Sequence, residues 1–387
     1  MPTIRLPAAG HIIENHQVGP ASPFPAAAAA AFPRIAYAAA HVVADPLGDL
    51  APWHATAVDW DSTLAFRRHL WGLGFKIAEA MDTSQRGMGL DWPTAHELIR
   101  RSTAEARTVA GADLACGVGT DQLPATPGVT LDQVRRAYEE QLEAVEAAGG
   151  RAILMASRAL VHAASSAEDY LEIYGGLIRQ AREPVILHWL GSMFDPALDG
   201  YWGSADLNTA TETVLTLIRE HGARIDGVKI SLLDKAREIA VRRRLPAGVR
   251  MFTGDDFNYA ELIEGDAQGY SHALLGIFDP IGPAAAAALQ ALAVGDHERF
   301  RAILEPTVPL SRKIFEAPTQ YYKAGVVFLA WLNGHQDHFA MVGGMQSARS
   351  ALHYADVFRL ADQAGLLRDP ELACARMGHL MALHGID

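Results

Sequence analysis

Residues 225–256 read IDGVKISLLDKAREIAVRRRLPAGVRMFTGDD: a short apolar run, an amphipathic stretch, and a second short apolar run. That is the pattern of a strand, a helix and a following parallel strand. The basic patch Arg242-Arg243-Arg244 falls on the middle stretch and reads as a solvated helix face. Working outward, the same alternation begins at Ile35 and yields eight strand candidates: Ile35–Val43, Phe75–Ala80, Asp113–Gly117, Ala152–Met155, Val185–His188, Gly227–Ile230, Val249–Thr253 and Gly269–Leu275. Several are continuously apolar, as expected where both faces of a sheet are covered. Between them lie helical patterns such as Leu131–Ala148, which places Leu131, Val134, Tyr138, Leu142 and Val145 on one face. The pattern alone admits a doubly wound open sheet. The count of eight points to an α/β fold of the (β/α)8 TIM-barrel type.

On this reading residues 1–30 hold two short strands around a glycine turn, perched as a lid on one barrel end. Residues 31–283 form the barrel. Residues 284–387 are a C-terminal helical extension packed on it, with Tyr321-Tyr322-Lys323 opening an apolar helix. The chain has 387 residues, 50% of them hydrophobic, and a formal net charge of −12. Such a chain buries a large core without disulfides, and its acidic balance argues against nucleic acid as the main partner. Cys116 and Cys374 stand far apart with no CxxC spacing, which fits a cytoplasmic protein. No long uncharged apolar stretch suggests a membrane partner. The run Ala26–Ala31 has no basic segment just before it and reads as the start of the folded domain, not an export signal.

Chemistry concentrates on Lys229, in the strand candidate Gly227-Val228-Lys229-Ile230. An ammonium inside a barrel is costly unless it is paired or loses its proton. A side chain at a strand's C-terminal end points into the barrel mouth, where active sites form. Two readings follow from position alone: a neutral amine serving as nucleophile, or a lysine that snorkels to solvent or pairs with a carboxylate.

The next strand, Met251-Phe252-Thr253, ends in Gly254-Asp255-Asp256. In this the chain resembles the superfamily of dihydrodipicolinate synthases and N-acetylneuraminate lyases, whose barrels carry a Gly-X-Lys strand and then a strand ending in Gly-Asp-Asp. Gly227-Val228-Lys229 and Gly254-Asp255-Asp256 stand in that order at the family's spacing. The likeness continues through Leu262–Ser271, Gly295-Asp296 and the Pro318–Ala324 stretch, where the family has Pro-x-x-x-x-Lys-Ala. It spans roughly residues 35 to 345, and the chain as a whole is most similar to the DUF993 branch.

The resemblance implies a class I aldolase-like lyase in which Lys229 forms a Schiff base, with no cofactor beyond that covalent imine. It implies a small carbonyl substrate, a sugar-derived 2-oxo acid or a keto-sugar, and assembly as a homodimer or homotetramer. His188, in Val185-Ile186-Leu187-His188-Trp189, takes the place of the family's proton-relaying tyrosine, and imidazole transfers protons near neutral pH without a large pKa shift. In the carboxylate-gripping loop the family's glycines are gone. Met81-Asp82-Thr83-Ser84 keeps two hydroxyls, so Thr83 and Ser84 are the expected substrate contacts there. The family's arginine is missing from Gly191-Ser192-Met193-Phe194, and Arg158 is the substitute candidate for an anion clamp. Gly254, Asp255, Asp256 and His272 complete the expected substrate-binding set. His41, Asp45 and Asp121 are further polar residues at expected strand ends.

Two other functional classes compete. Histidine density at His335-Gln336-Asp337-His338 keeps a metal-dependent sugar isomerase or class II aldolase in view, although no HExxH motif is present and no metal is expected. The altered tyrosine and glycine loop would also suit a barrel that only binds a sugar.

Overall fold

In a computed structural model that describes residues 1–25, 27 and 31–386, ten strands fall into two sheets. β1 (Thr3–Ala8) and β2 (Ile12–Gln17) form an antiparallel hairpin. The next eight are β3 (Ala36–Ala39), β4 (Lys76–Glu79), β5 (Leu114–Val118), β6 (Arg151–Leu154), β7 (Val185–Leu190), β8 (Ile225–Ser231), β9 (Arg250–Thr253) and β10 (His272–Leu275). They are parallel and pair in chain order. β10 returns to pair with β3, so the barrel is closed and the open-sheet alternative is excluded.

Each barrel strand is followed by a helix: 60–72, 92–106, 131–148, 167–180, 207–221, 235–242, 259–264 and 282–293. Leu131–Ala148 forms because its signals agree. Thr130 and Gln133 close a reciprocal capping box at its start, Gly149 ends it in the left-handed conformation, and Val134, Tyr138, Leu142 and Val145 are buried between.

Strand alternation separates two packed layers. Tyr37, Ala39, Ala78, Ala115, Ile153, Ile186, Phe252 and Leu274 meet inside the barrel. Their neighbours Ala38, Ile77, Leu154, Leu187, Val228 and Ala273 face outward, against the helices.

The eighth barrel helix, Gly282–Ala293, begins where the barrel was expected to end. A boundary at 283 therefore cuts into the barrel, and the extension proper starts after this helix. Its central helix, Tyr322–Leu332, is buried along its whole length, as an all-round apolar helix must be. Helices 308–314, 351–363 and 370–383 pack on it. The N-terminal hairpin seats on helices 351–363 and 370–383, where Arg359 donates to Pro7 O at 3.0 Å and His16 meets Asp362 at 2.8 Å. The hairpin is thus a brace on the extension and not a lid over the barrel. Four residues of the Ala26–Ala31 run lie outside the described residues. Among those described, no helix is long and apolar enough to cross a membrane.

Candidate active site

Lys229 shares the inward face of β8 with Gly227 and Ser231, while Val228 and Ile230 face the helices. One glycine makes room for it and another for its register partner Phe252. A Cβ on Gly227 would lie 2.5 Å from the Phe252 ring. A Cβ on Gly254 would lie 2.7 Å from Lys229 Cε and 2.2 Å from Ser231 Oγ. The lysine is 7% exposed, and among the described residues it has neither a hydrogen-bond partner nor an ion pair. Burial pushes its ammonium below the usual lysine range, against the pull of Asp82 and Asp256. Burial acts oppositely on Asp256. Its carboxyl rises to about 7, although Ile277 N donates to it at 3.0 Å and Lys229 lies nearby.

His188 stands beside Lys229 in register, on β7. It is fully buried, with Nε2 3.3 Å from Ser231 Oγ and Nδ1 3.9 Å from Asp82 Oδ2. Burial, reinforced by the Lys229 cation, drives its pKa well below the usual histidine value. Burial thus favours the neutral imidazole, in contrast to the expectation of a histidine without a large shift.

Asp82 comes from the turn after β4, a segment held in an unusual shape. Ala80 and Gln85 both adopt positive φ, 52° and 67°, without being glycine. Arg86 locks the turn. Its guanidinium donates to Ala80 O and Gly117 O, each at 3.1 Å, and engages Asp121 and Gln141. The result aims the Asp82 carboxylate into the mouth. It also turns the two neighbouring hydroxyls away. Thr83 Oγ1 is 2.8 Å from Tyr322 Oη, and Ser84 Oγ donates to Met81 O at 2.8 Å.

A cavity of about 260 Å³ opens beside His188, lined among others by Asp82, Arg86, Asp121, Arg158, His188, Asp195 and Lys323; Lys229 adjoins it through His188, its neighbour on the adjacent strand, and is not itself in the lining. The charges pair off unequally. Arg86 holds Asp121, and Arg158 holds Asp195 at 2.5 Å. Among the described residues, Asp82 and Lys323 have no such oppositely charged Lys, Arg, Asp or Glu side chain of their own. Lys323, 4% exposed, donates to Gln320 O at 3.0 Å and touches Met88 Sδ at 3.3 Å. Burial brings its ammonium down to about 8.

Lys229, His188, Gly254 and Asp256 therefore converge, and several other expected contacts do not. Asp255 caps its own loop, accepting from Phe257 N and Asn258 N at 2.9 and 3.0 Å. His272 opens β10 at the barrel's opposite end, where its Nδ1 accepts from Ile35 N at 2.9 Å. It is no substrate contact. Ser84 and Thr83 spend their hydroxyls internally, and Arg158 is a half-exposed rim residue tied to Asp195. His41 is buried against Asp279 at 2.8 Å, Asp45 caps a surface turn, and Asp121 serves Arg86. Asp337 is fully exposed, and among the described residues no three His, Cys, Asp or Glu side chains group as metal ligands. Asp82, Tyr322 and Lys323 were within the quoted motifs but were not singled out. The signal for Lys323 was a charge opening a helix that is otherwise wholly apolar.

The family described as protein of unknown function (DUF993) matches residues 4–386. No curated relative matches the sequence. Among solved structures, the barrel is similar to dihydrodipicolinate synthase from Aquifex aeolicus, at 13% identity and a TM-score of 0.64, covering 86% of this chain and 99% of that one. The chloride-inhibited synthase from Acinetobacter baumannii complexed with pyruvate is similar at 16% identity and a TM-score of 0.62, covering 86% and 99%. YagE, a prophage protein of the dihydrodipicolinic acid synthase family from E. coli K12 in complex with pyruvate, gives 12% identity and a TM-score of 0.63, covering 92% and 100%. At these identities the likeness is one of fold.

Proposed function

The chain belongs to the DUF993 family, and from that membership and the geometry of its barrel mouth we propose that it is a lyase of the aldolase type that captures a small carbonyl compound as an imine on Lys229. One observation carries the reading: a buried lysine that has no ion pair among the described residues sits on the inward face of a barrel strand, where burial favours the free amine. The pyruvate held by two proteins of the same fold is consistent with a carbonyl ligand of this size.

The neutral amine adds to the carbonyl carbon and gives a carbinolamine. Loss of water then leaves an iminium cation, which draws the electron pair of the adjacent C–C or C–H bond towards nitrogen. When the C–C bond breaks, Asp82, facing the cavity, takes the proton of the hydroxyl that becomes the departing carbonyl and returns it to the enamine, and water then hydrolyses the iminium to free the product and the amine. Asp82 also balances the iminium charge. Asp256, whose charge acts on Lys229 and whose carboxyl is raised to about 7, exchanges protons with the nitrogen as the carbinolamine dehydrates. His188 stays neutral and hydrogen-bonds within the site.

The test is borohydride reduction in the presence of pyruvate, hydroxyacetone and dihydroxyacetone, read by intact mass and peptide mapping. One reduced adduct per chain on Lys229, absent from Lys229→Ala, is the expected result. An adduct that persists in Lys229→Ala, or none with any of the three, removes the imine.

A further inference from the structure

We propose that Lys323 is the anion-binding group of this cavity, so that the carbonyl compound captured at Lys229 carries a carboxylate or phosphate held by the Lys323 ammonium. The inference rests on the reading of Lys229 as the nucleophile and adds the substrate's second functional group.

Three observations support it. First, the hydroxyls of the turn after β4 have partners of their own, Thr83 Oγ1 sharing a hydrogen bond with Tyr322 Oη and Ser84 Oγ donating to Met81 O. Neither residue lines the cavity, whereas Lys323 does. Second, both arginines of the cavity are neutralised, Arg86 by Asp121 and Arg158 by Asp195. Third, Lys323 is a buried cation that lines the cavity and, among the described residues, has no carboxylate within ion-pairing distance. Of its three N–H bonds, one meets the Gln320 carbonyl and one points at a thioether, a weak acceptor, and the ammonium also stands 4.7 Å from the centre of the Tyr322 ring. None of these partners carries a negative charge.

The charges then balance. A free amine at Lys229 leaves the Asp82 carboxylate facing the Lys323 ammonium across the cavity. Formation of the iminium places a new positive charge beside Asp82, and the attraction of Asp82 is redirected to it. Lys323 is then the uncompensated charge, and an anionic group on the same substrate answers it. A neutral keto-sugar would leave it unanswered.

The experiment uses two matched pairs of carbonyl compounds, pyruvate with hydroxyacetone and dihydroxyacetone phosphate with dihydroxyacetone. Reductive trapping on the full chain gives the half-saturating concentration of each. Lys323→Met, of similar length and uncharged, is expected to raise that concentration about 10- to 100-fold for an anionic member and to leave its neutral partner unchanged. Lys323→Arg restores part of the loss. Whether pyruvate or dihydroxyacetone phosphate suffers more identifies the anion as carboxylate or phosphate. Equal shifts for both members of a pair, or no shift, overturn the proposal.

Calorimetry keeps this separate from the imine itself. Lys229→Met cannot form an adduct, yet it should still bind one of the two anions saturably, and adding Lys323→Met should abolish that binding. If the parent chain forms no adduct on Lys229 but this difference is seen, the imine reading falls and Lys323 stands. If Lys229→Met binds neither anion, and trapping does not depend on Lys323, the proposal is lost.

Discussion

Burial acts on Lys229 in one direction and on Asp256 in the other, and the pH response follows from the two signs. Desolvation lowers the lysine, so the nucleophilic amine is present below the usual lysine range. The initial rate of adduct formation should therefore rise with pH and level off before that range is reached. Asp256 attracts a proton to the amine when ionised, so Asp256→Asn should move the rise to lower pH. Trapping rates over a pH series read both, and an unmoved profile in Asp256→Asn contradicts the coupling. Gly254→Ala drives a methyl group against Lys229 Cε and Ser231 Oγ. Such overpacking costs about 1–3 kcal/mol of stability and should suppress adduct formation further, since the amine itself is displaced. Denaturant melts and trapping yields separate the two effects. Lys229, Gly254 and Asp256 were legible in the sequence because a barrel strand tolerates few polar or vacant positions without cause. Asp82 was less legible. Its direction depends on two left-handed residues and an arginine clamp, and no local pattern announces those.

At the scale of elements, the turn between β4 and helix 92–106 holds much of the site together. Arg86→Ala would remove the cation facing the partly exposed Asp121 and release the buried Ala80 and Gly117 carbonyls, and leaving buried acceptors unpaired in this way costs about 1–3 kcal/mol. A midpoint shift in urea checks it, and a loss below 1 kcal/mol or so would show the clamp to be dispensable. Glu238, on helix 235–242, joins two other elements: Thr253 Oγ1 and Ser271 Oγ donate to it at 2.9 and 2.7 Å. Burial raises its carboxyl to about 8. The folded chain thus keeps the proton while the unfolded chain, with an ordinary carboxyl, has lost it. Stability from this group is full below the ordinary glutamate pKa and declines as pH rises towards 8. Glu238→Gln should flatten that decline, so its melting temperature gains on the parent at alkaline pH more than at acid pH. The strands themselves were legible, all eight, because period and composition agree. Their ends were not. Gly269–Leu275 was expected where β10 is His272–Leu275, which put His272 among the mouth residues although it opens its strand at the far end.

Across the whole molecule, the hairpin and the last two helices form a unit apart from the mouth. Deleting residues 1–18 should lower the melting temperature by uncovering helices 351–363 and 370–383 while leaving the half-saturating pyruvate concentration unchanged. A changed concentration would mean that the hairpin reaches the site after all. The composition of residues 284–387 announced helices but not their docking, since an apolar helix such as Tyr322–Leu332 could cover any face of the barrel. Only the packed structure places its Tyr322 against Thr83 and its Lys323 in the cavity wall.

That placement has a consequence for a truncated chain. β10 completes the barrel sheet at Leu275, whereas Lys323 reaches the cavity wall from a helix that lies later in the chain. On the proposed reading, a chain clipped ahead of that helix would still carry Lys229 but would lack the cation expected to select anionic carbonyl compounds.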